Sequence, residues 1–160
     1  MCLKYNFKKM CCFYVSLIHL VTMILPYINK SLEEEKEIIT ILEQDLQENV
    51  EKLLSRMNLN EEKKNKILKI NWKTNTNINV ENSNKKKIIL IVGKNEFVEK
   101  INRKILNQKI VPEYSIINCY DFNEEKESIK EILDNHDKIL NTLGEREIEE
   151  VFVGYRRVTN

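Results

Sequence analysis

The feature that most constrains the fold is a short apolar run between Lys87 and Gly93. Residues 88–92 are Ile, Ile, Leu, Ile and Val, with a lysine cluster before them and a glycine after them. Such a run is typical of a β-strand covered on both faces, because alternate side chains point to opposite sides and none of them favours water. It is too short to cross a bilayer as a helix. We therefore predict a central strand over residues 87–92.

Alternating helices and strands are predicted after this strand. Asn95 is a possible helix cap, and apolar residues follow it at helical spacing as far as Leu106. Residues 114–120 (YSIINCY) predict a second strand. A longer helix is predicted over residues 124–143, followed by a final strand over residues 150–158. The alternative for this tail is a helix, since Ile148, Val151, Phe152 and Tyr155 also fit a helical stripe.

Before the central strand, residues 70–80 (INWKTNTNINV) alternate between two sets of side chains. Isoleucine, tryptophan, threonine or valine occupies every second position, and asparagine or lysine occupies the positions between them. This period of two predicts a strand with one buried face, which would return into residues 87–92 as an antiparallel neighbour. An asparagine-rich linker is the alternative for this stretch. Residues 31–57 show apolar side chains at steps of three and four, and Ser31 with Glu34 forms a possible capping box. They predict an amphipathic helix, and Asn60 is a possible cap for a second, shorter one.

Residues 10–28 (MCCFYVSLIHLVTMILPYI) contain no charged side chain. Lysines precede this segment and glutamates follow it, so it predicts a membrane-spanning helix with the N-terminus in the cytoplasm and the C-terminal domain outside. Two alternatives remain open. A cleaved signal peptide, which would make the protein secreted, has the same polarity but lacks a small-x-small cleavage site here. The segment would also suit a buried helix of a soluble protein.

Together these patterns predict an α/β or α+β protein in three regions. Residues 1–30 form the anchor or signal-like segment, residues 31–69 a helical region, and residues 70–160 a small α/β domain. Its mixed sheet would follow the order β-β-α-β-α-β, with helices packed on the sheet.

The composition excludes some classes of function. Lys and Arg together number 26 and Asp and Glu 25, so the net charge of +1 gives no argument for binding nucleic acid. The four cysteines form no CxxC motif and no zinc-ligand spacing, so we predict no metal site and no cofactor. Only Cys119 lies in the predicted soluble domain, which excludes a disulfide within that domain.

The junction after the central strand is the candidate ligand site. Phosphate-binding loops occupy such strand–helix junctions, and the predicted site consists of Gly93, Lys94, Asn95 and, at the end of the next strand, Asp121. The junction contains one glycine and matches neither the P-loop nor the dinucleotide-binding pattern. An ordinary helix cap is the simpler interpretation of these residues.

No catalytic residues are predicted. A nucleophilic Cys119 would need a base, and His136, the one histidine in the predicted soluble region, lies on an apolar helix face. We interpret both as core residues, although His136 would also suit a pH-sensitive switch. The sequence thus predicts a non-enzymatic, membrane-tethered interaction, assembly or regulatory protein. It would contact lipid through residues 10–28 and associate with a protein partner or a second copy. The alternatives are a small-ligand or nucleotide-binding α/β domain, a class that includes degenerate enzymes, and a secreted effector.

Overall fold

The computed structural model of this protein describes residues 7–78, 84–108 and 113–157. Within these residues the chain forms one six-stranded sheet with helices on both faces. In chain order the strands are β1 (Phe7–Tyr14), β2 (Glu37–Leu42), β3 (Lys87–Val92), β4 (Tyr114–Asp121), β5 (Lys138–Asn141) and β6 (Gly144–Arg146). The helices are α1 (Leu17–Glu33), α2 (Gln47–Leu54), α3 (Glu61–Leu68), α4 (Asn95–Leu106), α5 (Ile129–Asp134) and α6 (Ile148–Val151).

The strand order is β2-β3-β4-β1-β5-β6. The first five strands are parallel, and β6 pairs antiparallel with β5 as a hairpin. The mixed α/β class predicted from the sequence is therefore confirmed. The sheet draws on all three predicted regions, since β1 lies within residues 1–30, β2 within residues 31–69 and the other strands within residues 70–160.

Strand β3 is confirmed over its predicted length, and all six of its residues are buried. Its neighbours are β2 and β4, and both are parallel to it. The predicted antiparallel neighbour is wrong: in the described part of residues 70–80, the only β contact is a single bridge between Asn75 and Leu42 of β2. Residues 79 and 80 lie outside the described residues. The alternation arises because Trp72 is buried and donates its indole N–H to the Ile67 carbonyl (2.8 Å), while polar neighbours face water.

The two faces of the sheet carry different helices. Helices α1, α2 and α3 pack on one face, in a core that includes Cys12, Leu90 and Cys119. Helices α4, α5 and α6 pack on the other face, in a core that includes Ile89 and Ile91. A fully apolar β3 is thus required, because each of its faces lies under a helix layer.

The predicted membrane helix over residues 10–28 is not found. Met10–Tyr14 belong to β1, which lies inside the sheet between β4 and β5, and α1 begins at Leu17. The Ser16 hydroxyl caps α1 by accepting from the His19 N–H (3.1 Å). A buried strand followed directly by a core helix gives an uncharged run as long as a membrane span. Among the described residues, no helix is both long enough and apolar enough to cross a membrane.

The predicted helix over residues 31–57 is replaced by three elements. Ser31 lies inside α1, where its hydroxyl donates to the Tyr27 carbonyl (2.9 Å), so it caps no helix. Glu35 follows the helix with a positive φ of 61°, and β2 begins two residues later. The apolar residues of β2 and α2 follow one another along the chain at steps of three and four, and for this reason the sequence predicted one continuous helix.

The predicted long helix over residues 124–143 is also wrong. Helix α5 ends at Asp134, and the chain continues into β5 and β6. Gly144 is not a helix cap but the first residue of β6, with a φ of 101° that favours glycine in the hairpin turn. The predicted final strand over residues 150–158 is replaced in part by α6, and residues 158–160 lie outside the described residues.

Candidate functional site

A cleft of about 210 Å³ lies between α4 and α5 on the face of β4. Its floor is polar and is formed by Asn102 of α4, Asn118 of β4 and His136, which follows α5. Its walls are apolar, and four charged side chains stand at its rim. Each of these three parts limits the kind of molecule that fits the cleft.

The floor is a closed hydrogen-bond network. The side-chain amides of Asn102 and Asn118 bond to each other in both directions, at 2.8 and 3.1 Å. Asn102 also donates to the Val98 carbonyl (2.7 Å), and the second amide N–H of Asn118 donates to His136 Nε2 (3.0 Å). All amide hydrogens of both asparagines are therefore used, and only carboxamide oxygen lone pairs remain for a ligand.

His136 completes the floor as a neutral imidazole. Its Nδ1 lies 2.5 Å from the Ile132 carbonyl, so Nδ1 carries the proton and Nε2 accepts from Asn118. Its ring is 3% exposed and meets the Tyr120 ring edge to face. Burial lowers the pKa of His136 from 6.5 to about 4, although the bond to Ile132 opposes this shift. The interpretation of His136 as a packed core histidine is thus supported by its burial.

The rim carries two cations and two carboxylates: Lys9, Arg103, Glu99 and Glu131. Glu99, Arg103 and Glu131 are exposed, and Lys9 is half-buried. None of the four forms an ion pair with another described side chain. Burial lowers the pKa of Lys9, and the carboxylates of Asp137 and Glu99 oppose this change. Both signs of charge are therefore available at the mouth of one small cleft.

Of the four predicted site residues, Asn95 lines this cleft. Gly93 and Lys94 lie beside it at the start of α4, where Glu43 accepts a hydrogen bond from the Lys94 N–H (2.7 Å). A Cβ at position 93 would collide with the Glu43 carboxylate and the Phe97 ring, which explains the glycine. Glu125 accepts from the Asn95 N–H (3.3 Å). The N–H groups of Lys94 and Asn95 at this junction are thus bonded to the protein's own carboxylates.

Asp121, the fourth predicted residue, acts in a turn. Its carboxylate accepts from the Asn123 N–H (2.9 Å), as aspartates commonly do after a strand. The Phe122 N–H donates to the Tyr14 carbonyl (2.8 Å), so β1 and β4 stay hydrogen-bonded at their ends. Beyond this point the chain after β1 continues to the face that carries α1, and the chain after β4 continues to the face that carries α5. The structure therefore does not bring Asp121 together with Asn95 in the cleft.

The cysteines lie in the sheet and not in the cleft. Cys119 and His136 cannot act as a pair, because the Cys119 side chain lies in the α1 core while His136 lies on the opposite face. Burial raises the pKa of Cys119, in keeping with a core thiol. Cys12 lies beside Cys119 in the register of β1 and β4, so Cys119 is not the one cysteine of the folded sheet. In the described residues, all three cysteines are free and buried.

Sequence reasoning missed Asn102, Asn118 and Lys9. Asn118 could have been identified from the sequence, because it is a carboxamide in the middle of a predicted strand whose adjacent residues, Ile117 and Cys119, are of types usually buried. A buried amide needs hydrogen-bond partners, which predicts a second polar residue on a helix packed against the strand. Because the sequence predicts a membrane segment that begins at residue 10, it does not place Lys9 near a ligand site.

Comparisons with protein-family models, curated proteins and solved structures found no match to this chain.

The buried histidine predicts acid sensitivity. Because the folded state holds His136 neutral and the unfolded state protonates it below about pH 6.5, the free energy of unfolding should fall as pH falls from 6.5 towards 4. The loss from this group should be about 2 kcal/mol between about pH 7 and pH 5. Urea unfolding at these pH values measures it. His136→Gln should be less stable than the parent at neutral pH. Its free energy of unfolding should fall by about 2 kcal/mol less than the parent's between about pH 7 and pH 5.

The control is Thr22→Ser, which changes an exposed side chain of α1 without adding or removing a titratable group and should keep the parent's dependence on pH. An unchanged slope in His136→Gln would contradict the assignment of this acid sensitivity to the floor of the cleft.

Proposed function

We propose that this protein binds a small zwitterion, of the size and charge of a free amino acid, in the cleft between α4 and α5. The observation that carries this proposal is the rim, where Lys9 and Arg103 supply positive charge and Glu99 and Glu131 supply negative charge without being paired to described side chains. An α-carboxylate suits the cations and an α-ammonium suits the carboxylates. A ligand with charge of one sign only would leave half of the rim unsatisfied.

The shape and lining of the cleft support the same class of ligand. A volume of about 210 Å³ suits a molecule of roughly ten non-hydrogen atoms and is below the usual range for nucleotides or drug-sized ligands. The walls are formed by apolar side chains suited to an aliphatic or aromatic substituent: Val98, Leu106, Tyr120 and Ile132. The oxygens of Asn102 and Asn118 offer acceptors at the floor.

The geometry favours binding over catalysis. His136 has both ring nitrogens engaged, at Ile132 and Asn118, and burial disfavours its protonation. Cys11, which points to the same face of the sheet, has a pKa raised to about 12 by burial and so lacks the thiolate a nucleophile needs. The membrane-tethered interaction function rested on the apolar run at residues 10–28. Because that run belongs to β1 and α1, the cleft gives the stronger basis for a function.

Thermal unfolding in the presence of individual free amino acids tests the proposal. At about 10 mM ligand and a Kd of about 0.1 mM, binding adds about 2.7 kcal/mol to the free energy of unfolding. For a chain of this length that should raise Tm by about 5 °C or more. The double variant Glu99→Gln with Arg103→Gln should lose this shift and keep its own Tm near the parent's, since both side chains are exposed.

The matched control is Glu96→Gln with Lys100→Gln. It also removes one carboxylate and one cation from exposed positions of α4, but neither residue lines the cleft. It should respond to the ligand as the parent does. A panel in which no amino acid raises the parent's Tm would overturn the proposal, as would an equal shift in the Glu99 and Arg103 double variant.

A further inference from the structure

A second and larger groove lies on the opposite side of the sheet. It has a volume of about 610 Å³ and is bounded by the second half of α1 and by the hairpin of β5 and β6. It exists because α1 leads from β1 towards β2, at the other edge of the sheet, and so leaves the hairpin side uncovered. Leu143 in the hairpin turn is 72% exposed. We call this space the hairpin groove.

The hairpin groove carries an excess of positive charge. Four cationic side chains line it, at Lys8, Lys30, Lys36 and Arg146, against two carboxylates, at Glu34 and Glu145. Both carboxylates are already paired, Glu145 with Lys8 (2.5 Å) and Glu34 with Lys36 (3.1 Å). Among described side chains neither Lys30 nor Arg146 lies within ion-pair distance of a carboxylate, and Lys30 interacts with Glu34 only at longer range. The lining therefore holds more cations than carboxylates, and the ammonium of Lys30 and the guanidinium of Arg146 are the two outside ion pairs.

The neighbouring polar groups suit an anion as well. Arg146 donates one guanidinium N–H to the Glu145 carbonyl (3.2 Å), which holds the planar group in place and leaves further N–H donors. Tyr27 lines the groove, and burial together with the nearby carboxylates of Glu145 and Glu34 raises its pKa to about 12. Its hydroxyl is therefore protonated at neutral pH and can donate to an anion.

We infer that the hairpin groove binds a small organic phosphate, with its phosphate group at Lys30 and Arg146. A guanidinium fork and an ammonium group are the side chains that bind phosphate most strongly in proteins. The volume exceeds what a phosphate ion needs and falls in the usual range for small-molecule sites. Met23 and Pro26 of α1 offer an apolar surface for the organic part. This site is independent of the cleft between α4 and α5.

Isothermal titration of the full chain with phenyl phosphate and with inorganic phosphate tests the inference. Phenyl phosphate should bind, and more tightly than inorganic phosphate by about fivefold or more, because its ring adds apolar contact. The double variant Lys30→Gln with Arg146→Gln should weaken phenyl phosphate binding by about tenfold or more. Neither side chain is buried, so the variant should fold, and its Tm checks this.

The control is Lys52→Gln with Arg56→Gln, which makes the same change in net charge at exposed positions outside the groove. It should bind within about twofold of the parent. No binding of phenyl phosphate to the parent would overturn the inference. So would an equal loss in the control, which would assign the binding to net charge, or equal affinity for both probes, which would indicate a site for the anion alone. The Glu99 and Arg103 double variant should retain phenyl phosphate binding, which separates this result from the fate of the amino-acid cleft.

Discussion

Replacing either Ile89 or Leu90 by aspartate is expected to unfold the whole domain. Both side chains are fully buried, and they lie in different cores, Ile89 under α4 and Leu90 under α1. Each change removes up to about 3 kcal/mol of apolar burial and places a carboxyl group without partners in the interior. The combined cost is about 5 kcal/mol or more, which is comparable to the whole stability of a domain of this size.

Thermal unfolding followed by circular dichroism checks this expectation, with Val153→Asp as the control. Val153 is 92% exposed, so aspartate there should leave Tm nearly unchanged. The two core variants should show no cooperative transition or a Tm lower by more than about 10 °C. If both melted like the parent, β3 would not be the shared strand of the two cores.

Deleting residues 1–29 is expected to abolish folding. The deletion removes β1, which lies between β4 and β5, and most of α1, which covers one face of the sheet. Strand β4 would then present unpaired backbone groups at an exposed edge, and the β5–β6 hairpin would be detached from the sheet. A membrane anchor, in contrast, would be dispensable for the fold of the domain after it. Near-ultraviolet circular dichroism and urea unfolding of the truncated chain measure the effect.

A substitution in the same part of the chain provides the control. Val15→Asn changes an exposed side chain between β1 and α1 and keeps both elements, so that chain should unfold cooperatively and near the parent's midpoint. A chain without residues 1–29 that retained a cooperative transition would show that the domain does not depend on β1.

The sequence predicted local elements well where their ends carried clear signals. Strand β3 ends at a glycine, α4 begins at a polar residue after it, and β4 is an isolated apolar run, and all three elements lie where expected. The prediction of Asn95 as the cap of α4 is wrong, because Lys94 occupies the cap position and Asn95 is the first residue of the helix. The failures occurred where two elements share one apolar pattern. Residues 10–28 combine a buried strand and a core helix, so charge and length alone could not divide them. A signal was present in three exposed residues of α1 that lie four positions apart: Thr22, Pro26 and Lys30.

The candidate site was less predictable than the fold, because its residues come from distant parts of the chain. Lys9, Asn102 and His136 meet only when β1, α4 and the end of α5 pack around β4. The prediction of β1 as a membrane segment removed Lys9 from consideration. The prediction of residues 124–143 as one helix placed His136 in the middle of a helix, whereas it lies after α5, where its ring reaches Asn118.

The central claim is that residues 10–14 form an interior strand and are not part of a membrane helix. Backbone nuclear Overhauser effects in the full chain test it most directly, because they report which strands are neighbours. We predict contacts between β1 and β4 in the register that pairs Met10 with Ile117 and Cys12 with Cys119, and contacts between Cys11 and Ile139 of β5. Helical contacts along residues 10–14, with none to β4, would contradict the account and return the apolar run to its interpretation as an anchor.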